Sequence, residues 1–160
     1  MVDVGGGSSV LVDRLLDAGF KHPTVVDLSE TALQRSRDRL GDRAGSVRWI
    51  RGDVTELEDT NEFDVWHDRA VFHFLTSPQD REGYVARLRR ALVAGGCAVI
   101  ATFGPEGPTH CSGLPVSRYD ADALHRELGE EFSLEHSELV HHMTPAGKSQ
   151  QFVYTLFRRL

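Results

Sequence analysis

Short apolar runs alternate with amphipathic segments of helical length along this chain, and that alternation restricts the fold more than any other feature. The clearest runs cover residues 24–28, 47–51, 63–68 and 97–103. Strands that alternate with helices are joined by crossover connections, which build a mainly parallel sheet covered by helices. We therefore predict an α/β fold with a single doubly wound, mainly parallel sheet.

The turn after the first predicted strand is rich in glycine. A strand at residues 1–4 is followed by three glycines, and Ser8 or Ser9 then offers a helix N-cap. Glycines let a ligand approach the backbone, and the free N–H groups at a helix start attract a negative group. A tight bend between strand and helix also explains the glycines, which are Gly5, Gly6 and Gly7.

Signals for helix starts and stops locate a central helix and the strand after it. Ser77 and Pro78 predict a helix start, since proline at the first helical position gives up only an N–H that would lack a partner. We expect this helix to end near residue 94, because two glycines follow. The fifth strand would then begin at Cys97.

The last third of the sequence predicts a long loop, one helix and two strands. The loop covers residues 104–117, and a loop of that length inside a domain is usually functional or mobile. A helix near 121–128 precedes strands near 132–140 and 150–157, which are joined by a turn at 144–147. A short turn requires antiparallel neighbours, so the last strand should run against an otherwise parallel sheet.

Composition fits one soluble domain. The 160 residues are 40% hydrophobic and 26% charged, so we expect one domain over residues 1–160. A net charge of -6, without a basic cluster, predicts that the protein has no nucleic-acid partner. The apolar runs are shorter than the roughly 20 residues of a membrane span. Because the first residues also lack the pattern of an export signal, we expect a cytoplasmic protein without membrane association.

Two acidic residues follow predicted strands at the edge where open parallel sheets bind ligands. Asp27 ends the second strand, where a carboxylate can accept hydrogen bonds from both hydroxyls of a ribose. It can also serve as a second cap for the next helix. Asp53 offers an acceptor after the third strand, or forms an ordinary Asp turn. The pair predicts a nucleoside site at this edge.

Five segments of the sequence, in order, resemble the motifs of class I S-adenosylmethionine-dependent methyltransferases. Any one of them is unspecific, but five at suitable spacing are fairly specific. The resemblance covers nearly the whole chain and implies a seven-stranded sheet with an antiparallel last strand. The segments are residues 2–9, 26–28, 52–54, 64–70 and 92–96.

This resemblance implies S-adenosylmethionine as cofactor and a small molecule or a protein side chain as methyl acceptor. It implies that Asp27 holds the ribose, that Asp53 and the next residue recognise the adenine, and that residues 64–70 lie beside the sulfonium. The cofactor-binding residues it implies are Asp3, Gly5, Gly6, Gly7, Asp27, Leu28, Asp53, Val54, Asp68 and Arg69.

A base helps if the methyl acceptor must lose a proton, and histidine suits that role near neutral pH. His73, His110 and His142 are the candidates, although each also fits a solvated or structural role. Arg118 beside Tyr119 offers a clamp for a carboxylate substrate, or an exposed pair at the start of a helix. The spacing of histidines and cysteines predicts no metal site.

Two other functions stay open at this point. An NAD(P)-dependent oxidoreductase would use the same glycine turn and ribose acid, but Val10 occupies the third glycine position of G-x-G-x-x-G counted from Gly5. Members of the methyltransferase family normally carry a helix and a full first strand before the first motif. Only Met1 and Val2 precede Asp3 here, so a weak or inactive cofactor-binding relative is the other alternative.

Overall fold

A mixed sheet is the centre of the computed structural model, which describes residues 1–56, 62–144 and 147–160. Within these ranges seven strands form the sheet and two short strands form a separate hairpin. The sheet strands are β1 (Val2–Val4), β2 (Thr24–Asp27), β3 (Arg48–Arg51), β4 (Phe63–Arg69), β5 (Leu92–Phe103), β8 (Phe132–Met143) and β9 (Ser149–Arg159). The hairpin strands are β6 (His110–Cys111) and β7 (Leu114–Pro115).

The order of the strands is β3-β2-β1-β4-β5-β9-β8. Strands β1 to β5 pair in parallel, whereas β9 runs antiparallel to both β5 and β8. This confirms the predicted α/β sheet with an antiparallel last strand. The predicted turn at 144–147 includes Pro145 and Ala146, which lie outside the described residues. The chain reverses its direction of winding between β1 and β4, which opens a crevice at their carboxyl ends.

Four α-helices in the described ranges cover the two faces of the sheet. They are α1 (Leu11–Asp17), α2 (Glu30–Leu40), α3 (Pro78–Ala91) and α4 (Ala121–Leu128). Ser77 caps α3 as predicted, and Ser29 caps α2 in the same way, since each serine oxygen accepts a hydrogen bond from a backbone N–H in the first turn. None of the helices in these ranges has the length and apolarity that a membrane crossing requires.

Two apolar layers hold the helices on the sheet. Trp66, Tyr84 and Leu88 belong to the larger layer, where side chains of the sheet meet α3 and α4. Val25 and Leu33 belong to the smaller layer, under α1 and α2. Because both faces of the sheet are covered near β1 and β2, a ligand can reach these strands only from their ends.

The boundary between α3 and β5 differs from the prediction. The helix ends at Ala91 and not near residue 94, and β5 begins at Leu92 and not at Cys97. Leu92 is fully buried and pairs with Phe63 of β4, and the register then shifts before the regular ladder resumes at Cys97. Pairing with β4 therefore outweighs the local helical pattern. Gly95 and Gly96 lie inside β5, at the irregularity where the register shifts.

We predict that Gly95→Ala destabilises the fold by about 1–2 kcal/mol, the usual cost of a left-handed backbone for an L-residue. Gly95 has φ +76, and an added Cβ would meet nothing within 4 Å, so the expected cost is conformational. The matched control is Gly45→Ala, which also meets nothing within 4 Å. Its backbone has no positive φ, so we expect a change near zero. Chemical denaturation measures both variants, and equal losses would contradict this account of the β5 irregularity.

Candidate functional site

A cavity of about 520 Å³ opens at the carboxyl edge of the sheet. Its walls come from the ends of β1, β2 and β3, from the segment that follows β4, and from the β6–β7 hairpin. The volume lies within the range of about 300–1,000 Å³ that is typical of small-molecule sites. The cavity therefore occupies the place where the winding of the sheet reverses, as the sequence predicted for a ligand.

The glycine turn fits between two walls of this cavity. Gly5 has φ +69, and a Cβ added there would lie 2.2 Å from Cγ2 of Val71. A Cβ added to Gly7 would lie 2.5 Å from Oδ2 of Asp27 and 2.9 Å from the Ala32 side chain. Larger residues at either position would push the turn away from its neighbours, so close approach, and not bending alone, requires the glycines.

Helix α2 holds the turn from the side. The buried Ser36 hydroxyl donates a hydrogen bond of 2.6 Å to the carbonyl of Gly7. Arg39 donates through Nη2 to the carbonyl of Ser9 at 2.6 Å and forms an ion pair with Asp13 at 2.7 Å. Sequence reasoning missed these residues because their contacts join positions 29 and 30 residues apart. The signal in the sequence is Ser36, a small polar residue on the same face of α2 as the buried Leu33 and Leu40.

The two predicted acids line the same cavity. Oδ1 of Asp27 accepts a hydrogen bond from the backbone N–H of Ser29 at 2.8 Å. Oδ1 of Asp53 accepts from the N–H and the hydroxyl of Thr55, at 2.8 and 2.7 Å. Both local roles considered from the sequence are thus present, and each uses Oδ1. Among the described residues no donor bonds to either Oδ2, so both carboxylates keep acceptor capacity.

Asp68 fixes the wall that follows β4 and does not line the cavity. It is fully buried, and its carboxylate accepts hydrogen bonds from the N–H groups of Val71 and Phe72 at 2.9 and 3.0 Å and from the Tyr84 hydroxyl at 2.7 Å. Burial raises the pKa of Asp68 to about 6, against the effect of these donors. Ala70 in the same segment has φ +69, a left-handed backbone that the fixed wall imposes.

Asp3 lies beneath the glycine turn. It is 3% exposed, and its Oδ1 is 2.7 Å from Nδ1 of His67. A Cβ added to Gly6 would lie 2.3 Å from Asp3 Oδ2, so this carboxylate also requires glycine above it. Asp3 therefore supports the turn from below.

The structure brings part of the predicted cofactor set together. The residues that line the cavity are Gly5, Asp27, Leu28, Asp53, Val54 and Arg69. The others do not line it: Asp3, Gly6, Gly7 and Asp68.

His73 is buried, contrary to its interpretation as a base at the substrate. Its ring packs between Phe74 and Phe103, with both ring centroids 4.7 Å away, and Nδ1 accepts the Phe103 N–H at 3.4 Å. Burial lowers the pKa of His73 to about 4, so the ring is neutral at pH 7. The residue forms part of the packing behind the cavity wall.

The other two candidate histidines are exposed and do not line the cavity. His110 lies on β6 opposite Pro115, and His142 lies on β8, 6.5 Å from the Phe152 ring. Arg118 does not line the cavity, and its Nη1 donates to the carbonyls of Pro105 and Gly107 and braces the loop. Within the described residues, no group of three or more His, Cys, Asp and Glu side chains is arranged to hold a metal ion.

Residues 1–96 match a protein family described as "Methyltransferase domain". The match covers more than half of the chain, and the chain belongs to this family. The resemblance inferred from the five sequence motifs is thereby confirmed.

Curated relatives share about three residues in ten with the chain. The malonyl-[acyl-carrier protein] O-methyltransferase of Anoxybacillus flavithermus is 29% identical over 105 residues, which cover 65% of this chain and 39% of the relative. The tRNA U34 carboxymethyltransferase of Vibrio cholerae is 30% identical over 122 residues, 74% of this chain and 36% of the relative. The chain thus spans less than half the length of these relatives. Because the second relative is named for an activity on tRNA, the prediction that the protein has no nucleic-acid partner is not supported.

Solved structures share the fold over 99% of this chain. A protein of Methanosarcina mazei described as a SAM-dependent methyltransferase has a TM-score of 0.80 at 14% identity, with 91% of that chain covered. The 1,6-didemethyltoxoflavin-N1-methyltransferase of Burkholderia thailandensis, solved with 1,6-didemethyltoxoflavin and S-adenosylhomocysteine, has a TM-score of 0.78 at 24% identity, with 69% covered. These likenesses confirm the seven-stranded methyltransferase fold.

We predict that NMR titration of the His73 imidazole gives a midpoint near pH 4, well below the ordinary value of 6.5. As the pH is lowered, His73 takes up its proton at a higher pH in the unfolded chain than in the folded one. His73 should therefore lower the free energy of unfolding as the pH falls from 6.5 towards 4. The free energy of unfolding should therefore fall further in the wild type than in His73→Phe over this interval. A midpoint near 6.5 would show that the ring is hydrated and would contradict the described packing.

Proposed function

We propose that the chain binds S-adenosylmethionine in the cavity and is an S-adenosylmethionine-dependent methyltransferase. The observation that carries this proposal is that Asp27 and Asp53, from neighbouring strands, line one cavity beside the glycine turn. Membership of the methyltransferase-domain family supports the same activity. The methyl acceptor is proposed to be a small molecule or a protein side chain.

The cavity fits the chemistry of this cofactor. Asp27 keeps Oδ2 for the ribose hydroxyls while Oδ1 stays on the Ser29 N–H. Asp53 and Val54 line the neighbouring wall, where an adenine ring would find both an acceptor and apolar contact. Gly5 lines the cavity, and its lack of a side chain lets Val71 pack against the turn. When bound, the cofactor supplies a methyl group on a positively charged sulfur.

The side chains around the cavity contribute by positioning and by excluding water. Asp68 fixes the wall after β4 through backbone hydrogen bonds, and Phe74 and Leu75 of this wall present apolar surface to the cavity. Reactants held in a fixed mutual geometry gain rate without a protein nucleophile. The described lining contains no histidine. We therefore propose that the rate enhancement comes from positioning the cofactor and the methyl acceptor.

Calorimetric titration with S-adenosylmethionine, S-adenosylhomocysteine and NADH tests the proposal against the alternatives. We expect both adenosyl compounds to bind and NADH not to bind. Binding of NADH alone would favour an oxidoreductase. If none of the three binds, the proposed activity of this chain is wrong and an inactive relative is favoured.

We predict that Asp27→Asn weakens binding of S-adenosylhomocysteine by about tenfold, the scale of a hydrogen bond to a charged group. Asparagine can still accept the hydrogen bond from Ser29, so the start of α2 is preserved. Asp42→Asn, an exposed acid away from the cavity, is the matched control and should leave the affinity unchanged. An unaltered affinity in Asp27→Asn would remove this residue from the cofactor site.

A further inference from the structure

The two halves of the cavity differ in charge. Asp27 and Asp53 lie at the ends of β2 and β3. The end of β4, the segment after it and the hairpin contribute one charged residue to the described lining, Arg69. The rest of this second half is largely apolar. It consists of Ala70, Val71, Phe74, Leu75, Leu114 and Pro115, together with Thr76.

Arg69 is held in place without an acidic partner. Its Nε donates a hydrogen bond of 3.0 Å to the Tyr154 hydroxyl, and its guanidinium carbon lies 5.2 Å from the centre of the Phe152 ring. No acidic side chain in the described ranges forms an ion pair with it. Arg81, by contrast, pairs with Glu127 at 3.0 Å. Arg69, an exposed residue of the cavity lining, thus contributes a positive charge next to the apolar residues of this half.

A carboxylate matches the donors that Arg69 leaves available. Because Nε is bonded to Tyr154, the terminal nitrogens Nη1 and Nη2 remain for a ligand, and such a pair matches the two oxygens of a carboxylate. Packing over Phe152 limits the motion of the guanidinium, so less entropy is lost when a ligand binds. The apolar wall beside it suits an aromatic or aliphatic body.

We propose that this second half of the cavity binds the methyl acceptor, and that the acceptor is a small apolar or aromatic carboxylate. Arg69 binds the carboxylate, and Tyr154 and Phe152 are positioning residues. The inference rests on the proposed methyltransferase function. It reassigns Arg69, which the family resemblance places among the cofactor residues, to the acceptor.

The residues that contact the Arg69 guanidinium come from the part of the chain beyond the family match. The two acids fall within residues 1–96, which match the family. Tyr154, Phe152 and Leu114 all lie beyond that range. Arg69 and most of the second half also lie within the family match, so the part beyond it contributes the two residues that contact Arg69 and the hairpin side of the cavity.

The test uses benzoate and its uncharged analogue benzamide as probes, titrated by NMR into protein saturated with S-adenosylhomocysteine. We expect benzoate to bind more tightly than benzamide and to shift the resonances of Ala70, Val71 and Leu114. Arg69→Gln should weaken the binding of benzoate by at least about tenfold, so that benzoate no longer binds more tightly than benzamide. Tyr154→Phe should weaken the binding of benzoate by less than Arg69→Gln does. The control Arg90→Gln, on the exposed side of α3, should change nothing.

Separate results overturn the inference and the proposed function. Equal binding of benzoate and benzamide to the wild type would overturn the inference. So would a loss of S-adenosylhomocysteine affinity in Arg69→Gln as large as the loss for benzoate, since Arg69 would then serve the cofactor. Retained S-adenosylhomocysteine binding shows that the variant is folded. If the wild type itself binds no S-adenosylhomocysteine, the proposed function fails first.

Discussion

The geometry of the cavity depends on how closely the glycine turn after β1 approaches its neighbours. The turn passes between Val71 on one side and the Asp27 carboxylate on the other, and a Cβ at Gly5 or Gly7 would lie within 2.5 Å of one of them. This contact brings the end of β1, the ribose acid and the wall after β4 to one place. A larger residue would separate these walls and widen the site that they form.

A buried chain of hydrogen bonds connects that wall to the core. Trp66 donates through Nε1 to the Tyr84 hydroxyl at 2.8 Å, and Tyr84 donates to Asp68 at 2.7 Å. Asp68 in turn accepts from the backbone of Val71, the residue that touches the glycine turn. Packing of α3 on the sheet therefore sets the position of a cavity wall. The wall is preorganised by residues that do not line the cavity.

Sequence reasoning predicted the features that depend on local chemistry or on family motifs. The cap at Ser77 needs only the adjacent backbone, and Asp27 stands out as an acid in an apolar strand. Features that depend on distant pairing were not predictable. Pairing with Phe63 extends β5 back to Leu92, and packing against Phe103 buries the His73 ring. The hydrogen bond between Arg69 and Tyr154 joins residues that are 85 positions apart, a separation for which one sequence gives no signal.

The central claim is that a nucleoside binds between Asp27 and Asp53 at the carboxyl edge of the sheet. A crystal structure of the protein with S-adenosylhomocysteine tests it most directly. The account predicts that the ribose hydroxyls donate hydrogen bonds to Asp27 and that the adenine lies beside Asp53 and Val54. A nucleoside found outside this cavity, or one held there without a contact to Asp27, would contradict the account.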